Sequence, residues 1–260
     1  MKGHETLTET AAAILPADMP EFFRKAGKTL GHFSGDPDRW KNPGAKFLRA
    51  AEGANHYLDL EDLQGKDLPA HRYLAIDLMI ALKKKPDRVG LLPYAIMENY
   101  EKLACAFYDH RKNPDEEHLR WKCIYVAGVL AHYTTDLSMP LHTTVNYDGI
   151  KEGKKYIQKG IHARIDAFPE KHGIKMEDLA KDLKMGEVAP AGVWDRVQEA
   201  IRESHRHVAR CYELDKGGFM KEPNDVSRAF ILERCRFGVQ FTAQVWHAAW
   251  LLSKDLPPPY

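Results

Sequence analysis

The residues of this chain most able to do chemistry are histidines and aspartates of its central third. His132 and Asp136 stand four positions apart, so a helix places them on one face, where both can bind a single metal ion. An apolar run that includes Ile124 and Leu130 precedes them, and unpaired polar groups at the end of such a run are costly to bury. A metal ion would satisfy both, although such a pair by itself is also compatible with a surface hydrogen bond.

The same spacing recurs at His162 and Asp166, and His142 lies between the two pairs. Pro140 cannot continue a helix, so the chain turns there and can bring His142 back towards the end of the His132 helix. This set of nitrogen and oxygen ligands, without thiolates, favours zinc in a catalytic rather than a structural role. The alternative is that these residues are unrelated surface or core positions.

These residues belong to a longer pattern that resembles a known family. Residues 132–142 read HYTTDLSMPLH and, with the HxxxD pair at 162–166, they resemble the signature of the zinc-dependent phospholipase C and single-strand-specific nuclease family. The segment 56–62 looks like the family's His-aromatic-x-Asp motif, and 34–41 resembles its acidic loop. Gly3 and His4 look like the start of the mature family chain, so the matches keep family order from residue 3 to residue 166.

The resemblance implies two to three zinc ions at the bottom of a cleft. The expected ligands are His56, His132, Asp136 and an acidic-loop carboxylate for the first ion, His142, His162 and Asp166 for the second, and His4, Asp136 and the N-terminal residue for the third. Asp38 is the expected loop carboxylate, because Lys41 follows where relatives carry a basic residue, and Asp36 is the alternative. Relatives begin with a Trp that binds the third ion. Met1 stands here instead, and chain ends are usually mobile, so we expect weak or absent occupancy of that site.

Zinc ions in this arrangement would activate water for attack on a phosphodiester, with Asp38 and Lys41 expected to take part in catalysis. Lys41, or else Arg39, would add positive charge beside the phosphoryl oxygens. Tyr57 and Asp59 match positions where nuclease relatives stack on and hydrogen-bond a base. The resemblance therefore favours a nuclease or 3′-nucleotidase acting on single-stranded nucleic acid or nucleotides. Tyr57 is equally consistent with a partly buried core aromatic.

Two other functions stay open. The first is a phospholipase C that acts on phospholipid headgroups with the same metal chemistry. The second is a non-catalytic helical metal-binding protein, which is less favoured because the expected ligands leave coordination positions for water. A di-iron carboxylate bundle would need Glu-x-x-His motifs, and the chain contains none.

Composition and charge further restrict the classes of protein to which this chain can belong. Hydrophobic residues make up 44% and charged residues 29% of the chain, the balance of a soluble globular protein. Lys and Arg total 38 and Asp and Glu total 37, so binding of duplex nucleic acid through a global positive field is excluded. No apolar stretch approaches the roughly 18 residues that span a bilayer. No signal peptide is visible after Met1, although the family resemblance implies a secreted or periplasmic protein.

Helical periodicity dominates the chain, and alternating strand patterns are scarce. We predict an all-α fold, one multi-helix domain over 1–260 with a zinc cluster at the bottom of a cleft. Residues 34–43, rich in Asp, Pro and Gly, are predicted as a loop. The predicted helices are 8–15, 19–31, 45–51, 69–85, 90–111, 114–135, 154–168, 176–183, 190–214 and 224–253.

Overall fold

The computed structural model describes residues 2–259, of which helices are the dominant element. The α-helices are, in chain order, α1 (Lys2–Ala13), α2 (Glu21–Arg24), α3 (Gly27–Ser34), α4 (Asp36–Trp40), α5 (Lys46–Glu52), α6 (Arg72–Ala81), α7 (Pro86–Val89), α8 (Leu92–Lys112), α9 (Glu117–Ser138), α10 (Ile161–Asp166), α11 (Phe168–Lys171), α12 (Met176–Ala180), α13 (Val193–Arg206), α14 (Val208–Lys216) and α15 (Asp225–Leu252). Helices account for 67% of the structure, so the predicted all-α class is confirmed.

Short 3-10 helices join several of these elements, at Gly53–His56, Leu60–Leu63, Pro140–Thr143 and Pro190–Gly192. The strands β1 (Ile150–Glu152) and β2 (Lys155–Ile157) form an antiparallel hairpin in which Ile150 lies opposite Ile157. Within residues 2–259, no helix combines the length and the apolar character needed to cross a membrane.

Helix α9 lies at the centre of the packing, between α3, α8 and α15. Every residue from Ala127 to Ser138 is buried, because this half of the helix is covered on all sides. A Cβ atom on Gly128 would lie 2.5 Å from that of Phe33, so the close approach of α3 needs glycine at this position. Trp246 of α15 donates its indole N–H to the Ala127 carbonyl at 3.1 Å. The end of α9 is thus held rigidly, and it carries His132 and Asp136.

The predicted helix at 154–168 is wrong in its first half. Residues 150–157 form the β-hairpin, and α10 starts only at Ile161. Gly153 sits in the hairpin turn with a φ of 60°, a left-handed conformation that glycine adopts without strain. A Cβ atom on Gly149 would lie 2.8 Å from the carbonyl oxygen of Ile157, so glycine also allows the hairpin base to close.

Other predictions of element boundaries also need correction. The predicted loop 34–43 contains α4, in which Pro37 stands in the first helical turn, where a missing N–H costs no hydrogen bond. The predicted helix 19–31 is divided into α2 and α3, and the predicted helix 190–214 into α13 and α14. The long helices α8, α9 and α15 lie within three residues of their predicted bounds.

Candidate metal centre

The first ligand group lies where α4, the 3-10 helix Gly53–His56 and α9 meet. Ligand atoms of Asp38, His56 and His132 all lie within 4.8 Å of one another. His56 and His132 are buried, with Nδ1 of His56 at 2.9 Å from Nε2 of His132. Asp36, the alternative loop carboxylate, instead pairs with Arg39 at 2.6 Å and is absent from this group.

The second group joins the 3-10 helix Pro140–Thr143 to α10. Ligand atoms of His142, His162 and Asp166 lie within 4.8 Å of one another. Nε2 of His162 is 3.0 Å from Asp166 Oδ2, and Nε2 of His142 is 3.7 Å from the same oxygen. Pro140 does turn the chain as predicted, because α9 ends at Ser138 and the turn returns His142 to the end of that helix.

The third group adds His4 of α1 to His132 and Asp136. Nε2 of His4 lies 3.4 Å from Asp136 Oδ1, and the two imidazoles of His4 and His132 have ring centroids 4.1 Å apart. Helix α1 is already formed at Lys2, so the chain is held next to the site from that residue onward. The expected role of Met1 lies outside the described residues, and the weak occupancy of the third site stays a prediction.

Asp136 connects the three groups through its two carboxylate oxygens. Oδ2 lies 2.9 Å from Nδ1 of His56 and 3.2 Å from Nε2 of His132. Oδ1 lies 3.4 Å from Nε2 of His4 and 3.8 Å from Nε2 of His142. The side chain is only 3% exposed, so one buried carboxylate faces histidines of all three groups.

The outward nitrogens of these histidines test whether the residues fit metal ions. Nδ1 of His132 faces the Ser34 carbonyl at 2.8 Å, and Nδ1 of His142 faces the His56 carbonyl at 2.7 Å. Nδ1 of His4 lies 2.7 Å from the Thr135 hydroxyl, whose own proton goes to backbone carbonyls of α9. Each acceptor favours a proton on the outward nitrogen and leaves Nε2 as the nitrogen that faces the carboxylates. Fixed tautomers of this kind are what metal-ligating histidines require.

Electrostatics keep the carboxylates of the centre ionised. Burial by itself would raise the pKa of Asp136, but the charges of His132 and His142 hold it well below its usual value. Burial by itself would also raise the pKa of Asp166, but His162 and His142 lower it below its usual value. Ionised carboxylates among imidazoles attract cations.

The pKa values of two histidines in the centre are shifted in opposite directions. Burial, together with the charge of His132, lowers the pKa of His4 to about 3. Burial would also lower the pKa of His142, but Asp136 and Asp166 raise it to about 9. A metal ligand must be unprotonated, so metal binding to the second group has to displace the proton of His142.

Helix α10 is short, and polar contacts hold it in addition to the buried side chains of Ile161 and Ile165. Asp148 accepts from the backbone N–H groups of Gly160, at 2.7 Å, and of His162, at 3.4 Å. Arg164 donates to both carboxylate oxygens of Asp215 on α14, at 2.6 and 2.8 Å. Since Arg164 stands between His162 and Asp166 on α10, this ion pair fixes the helix that carries both ligands.

A cleft of about 640 Å³ opens above the metal centre. Its lining residues are Lys41, Arg49, Gly53, His56, Tyr57, Asp59, Asp62, Arg88, Leu141, His142, Tyr147 and His162. Lys41 pairs with Asp38 at 2.7 Å, so the expected catalytic lysine lies beside a candidate ligand. Arg39 is not among the lining residues, and its guanidinium bonds Asp36 and the His32 carbonyl.

Tyr57 and Asp59 both line the cleft, as the resemblance implies for substrate-binding residues. The Tyr57 hydroxyl donates to the Asp87 carbonyl at 2.7 Å, which orients the ring along the cleft wall. Burial and the neighbouring charge of Glu61 raise the pKa of Asp59 to about 7. Their role towards a substrate stays a prediction.

The sequence patterns did not indicate several residues of the site. Arg49, Arg88 and Tyr147 line the cleft but belong to no motif, and Asp148 and Asp215 support α10 from positions distant in the chain. Glu52, four residues before His56, approaches that histidine from outside the metal centre. The sequence signal for Glu52 was this spacing, a Glu followed four residues later by a His.

Comparisons with known proteins support the fold. No protein-family description matches the chain, and no curated protein sequence matches it. The alpha-toxin of Clostridium perfringens, isolated from avian strain SWCP, matches with a TM-score of 0.50 at 12% identity, over 98% of this chain and 65% of the toxin chain. The alpha-toxin of Clostridium absonum matches with a TM-score of 0.44 at 14% identity, over 97% of this chain and 63% of that chain. The chain thus spans less than two thirds of the length of these toxins, and it shares an all-α fold with the first of them.

Proposed function

We propose that this chain is a zinc-dependent hydrolase of phosphodiester bonds, and that its substrate is a phospholipid headgroup. The observation that carries the proposal is the convergence of three His and Asp groups below one cleft. Nitrogen and oxygen ligands without thiolates match catalytic zinc. Zinc bound there would supply Lewis-acid activation of water and neutralisation of charge on the phosphoryl oxygens.

The chain's own residues would hold the ions and receive the substrate. Asp38, His56, His132 and Asp136 would hold the first ion, His142, His162 and Asp166 the second, and His4 with Asp136 the third. Lys41, Arg49 and Arg88 give the cleft wall a positive charge that attracts a phosphate anion. Of these three cations, Lys41 is the one paired with a proposed ligand, Asp38, and it is the expected partner of a phosphoryl oxygen.

Between the two substrate classes, the fold shared with alpha-toxin favours the phospholipid one, and no comparison favours a nuclease. The same similarity in fold is consistent with secretion of this protein. The nuclease reading, which the sequence placed first, depends on Tyr57 and Asp59 alone. It is the second candidate because both side chains line the cleft, where an aromatic ring and a carboxyl group can bind a base.

The test is a substrate panel with zinc-loaded protein. Phosphatidylcholine vesicles, single-stranded DNA, RNA and a 3′-nucleotide are incubated with the protein before and after removal of metal by a chelator. We expect release of a phosphorylated headgroup that stops without metal and returns with zinc. His142→Ala, which removes a ligand of the second group, is the matched inactive control. Cleavage of nucleic acid but not of lipid would move the proposal to the nuclease, and no hydrolysis of any substrate would overturn it.

A further inference from the structure

One histidine of the metal centre is oriented differently from the others. His132, His142 and His4 turn Nδ1 outward and Nε2 towards Asp136. His56 is reversed, with Nδ1 facing Asp136 at 2.9 Å. Its Nε2 is buried and makes no hydrogen bond of good geometry, but it lies 3.4 Å from Oε1 of Glu52. The outward neighbour of this histidine is therefore a carboxylate, where two of the others have a backbone carbonyl.

Glu52 is the last residue of α5, and it is 6% exposed. Its Oε1 accepts from the Tyr133 hydroxyl at 2.5 Å, and its Oε2 accepts from the Asn55 amide at 3.3 Å. A buried carboxylate is costly unless it is hydrogen-bonded, and both oxygens of Glu52 have such partners.

The position of Glu52 is set by groups other than His56. Tyr133 stands next to His132 on α9, so its hydroxyl ties Glu52 to the helix that carries the other ligands. Asn55 accepts in turn from Arg72 at 3.0 Å, and Arg72 holds Glu98 through two hydrogen bonds of 2.7 and 2.8 Å. The carboxylate is thus fixed on both oxygens and can orient an imidazole rather than follow it.

We propose that Glu52 is the positioning residue of the first metal group: it accepts the Nε2–H of His56 and so presents Nδ1 of that ring to the metal. The inference rests on the metal centre of the proposed function and adds a residue to it. Metal-ligating histidines commonly donate their second N–H to a carboxylate, and loss of that partner costs about 10–100-fold in metal affinity. Glu52 does not touch the metal or the substrate, and it acts only through His56.

The tautomer of His56 in the wild-type, zinc-loaded protein is the first measurement. Nitrogen-resolved NMR of the histidine side chains, assigned with a His56→Gln variant, distinguishes a protonated Nε2 from a protonated Nδ1. We expect the proton on Nε2 and the metal on Nδ1. A metal on Nε2 with the proton on Nδ1 would overturn the inference, and this result needs no Glu52 variant to fold.

The second measurement is zinc affinity, by competition with chelators of graded strength. Glu52→Ala should weaken one ion by about 10–100-fold, and Glu52→Gln, which keeps an acceptor but loses the charge, by less. Tyr133→Phe removes one hydrogen bond to Glu52 but leaves its contact with His56, so we expect a smaller effect still. Glu98→Gln, at the far end of the same chain of hydrogen bonds, is the matched control and should bind zinc as the wild type does.

Wild-type zinc affinity in both Glu52 variants would overturn the inference and leave the proposed function standing. Zinc is measured here without substrate, so a protein that binds zinc but hydrolyses nothing fails the proposed function alone. Loss of affinity in Glu98→Gln equal to that in Glu52→Ala would mean that the network is merely structural, and would also overturn the inference. A protein that binds no zinc would overturn both the inference and the proposed function.

Discussion

The first and second metal groups use the same residue types but are held in different ways. His132 and Asp136 belong to a helix of 22 residues that is buried on all sides at this end. His162 and Asp166 belong to a helix of 6 residues, and their side chains are 29% and 39% exposed. The end of α9 is therefore positioned by packing on all sides, whereas α10 buries only Ile161 and Ile165 and is held in addition by the hydrogen bonds of Asp148 and Asp215. A helix this short has little stability by itself, so we expect these hydrogen bonds to matter more there.

The largest expected effect comes from the carboxylate that joins the groups. Asp136→Asn keeps the shape of the side chain but removes the charge that faces His56, His132, His4 and His142. We expect loss of more than one zinc ion per chain and a fall in hydrolysis well beyond the roughly 100-fold typical of an indirect residue. Elemental analysis and turnover measure both.

Asp166→Asn is the matched comparison, since it removes one carboxylate from the second group alone. It should cost one zinc ion and leave the ions of the first group bound. Equal zinc loss in the two variants would mean that the groups are a single cooperative unit and would end the distinction drawn here.

The next prediction concerns the ion pair that holds α10. Asp215→Ala removes the ion pair with Arg164, so the helix that carries His162 and Asp166 loses its main hold on α14. We expect zinc affinity of the second group to fall about 10–100-fold, with the first group unchanged. Chelator competition measures the affinity. Asp178→Ala breaks an exposed ion pair with Arg228 far from α10 and serves as the control. An unchanged affinity in Asp215→Ala would show that α10 is held by its packing after all.

The pH dependence of zinc binding should separate the groups further. The pKa of His142 is raised to about 9 by Asp136 and Asp166, so below that pH a proton competes for the second group. Affinity of this group should fall about tenfold per pH unit between pH 9 and pH 7. The pKa of His4 is lowered to about 3, so its ring carries no extra proton in that range. Zinc binding to the group that contains His4 should therefore not depend on pH through this histidine. Titration with zinc at several pH values checks the slope, and the same slope for every ion would contradict the assignment.

The smallest effect concerns the cleft wall rather than the metals. Burial and the charge of Glu61 raise the pKa of Asp59 to about 7, above the usual value for Asp. A raised carboxyl pKa favours the folded state only while the group is protonated, so this contribution is lost as pH rises through about 7. In metal-depleted protein, Asp59→Asn should therefore be more stable than the wild type at pH 8 by on the order of 1 kcal/mol, and no more stable at pH 4. Urea unfolding at the two pH values measures it, and an equal difference at both would contradict the shifted pKa.

The extent to which the sequence was informative differs along the chain. The long helices α8, α9 and α15 were predicted within a few residues, since Asn or Pro residues stand near their ends. The hairpin at 150–157 was missed because the helical pattern was extended through Gly153, which is the turn. The structure places Asp38 in a candidate ligand group and pairs Asp36 with Arg39, and the choice of Asp38 as the loop ligand stays a prediction.

What the sequence determined by itself is the identity and local spacing of the candidate ligands. His132 with Asp136, and His162 with Asp166, share a helix face because four residues make about one turn. Only the tertiary structure decided which nitrogen of each histidine faces inward, and it did so through contacts such as His132 with Ser34 and His56 with Glu52 and Asp136. Most of these partners lie far away in the chain, so they meet only once the helices have packed. Spacing along one helix is a local property, whereas the orientation of a ring depends on everything packed around it.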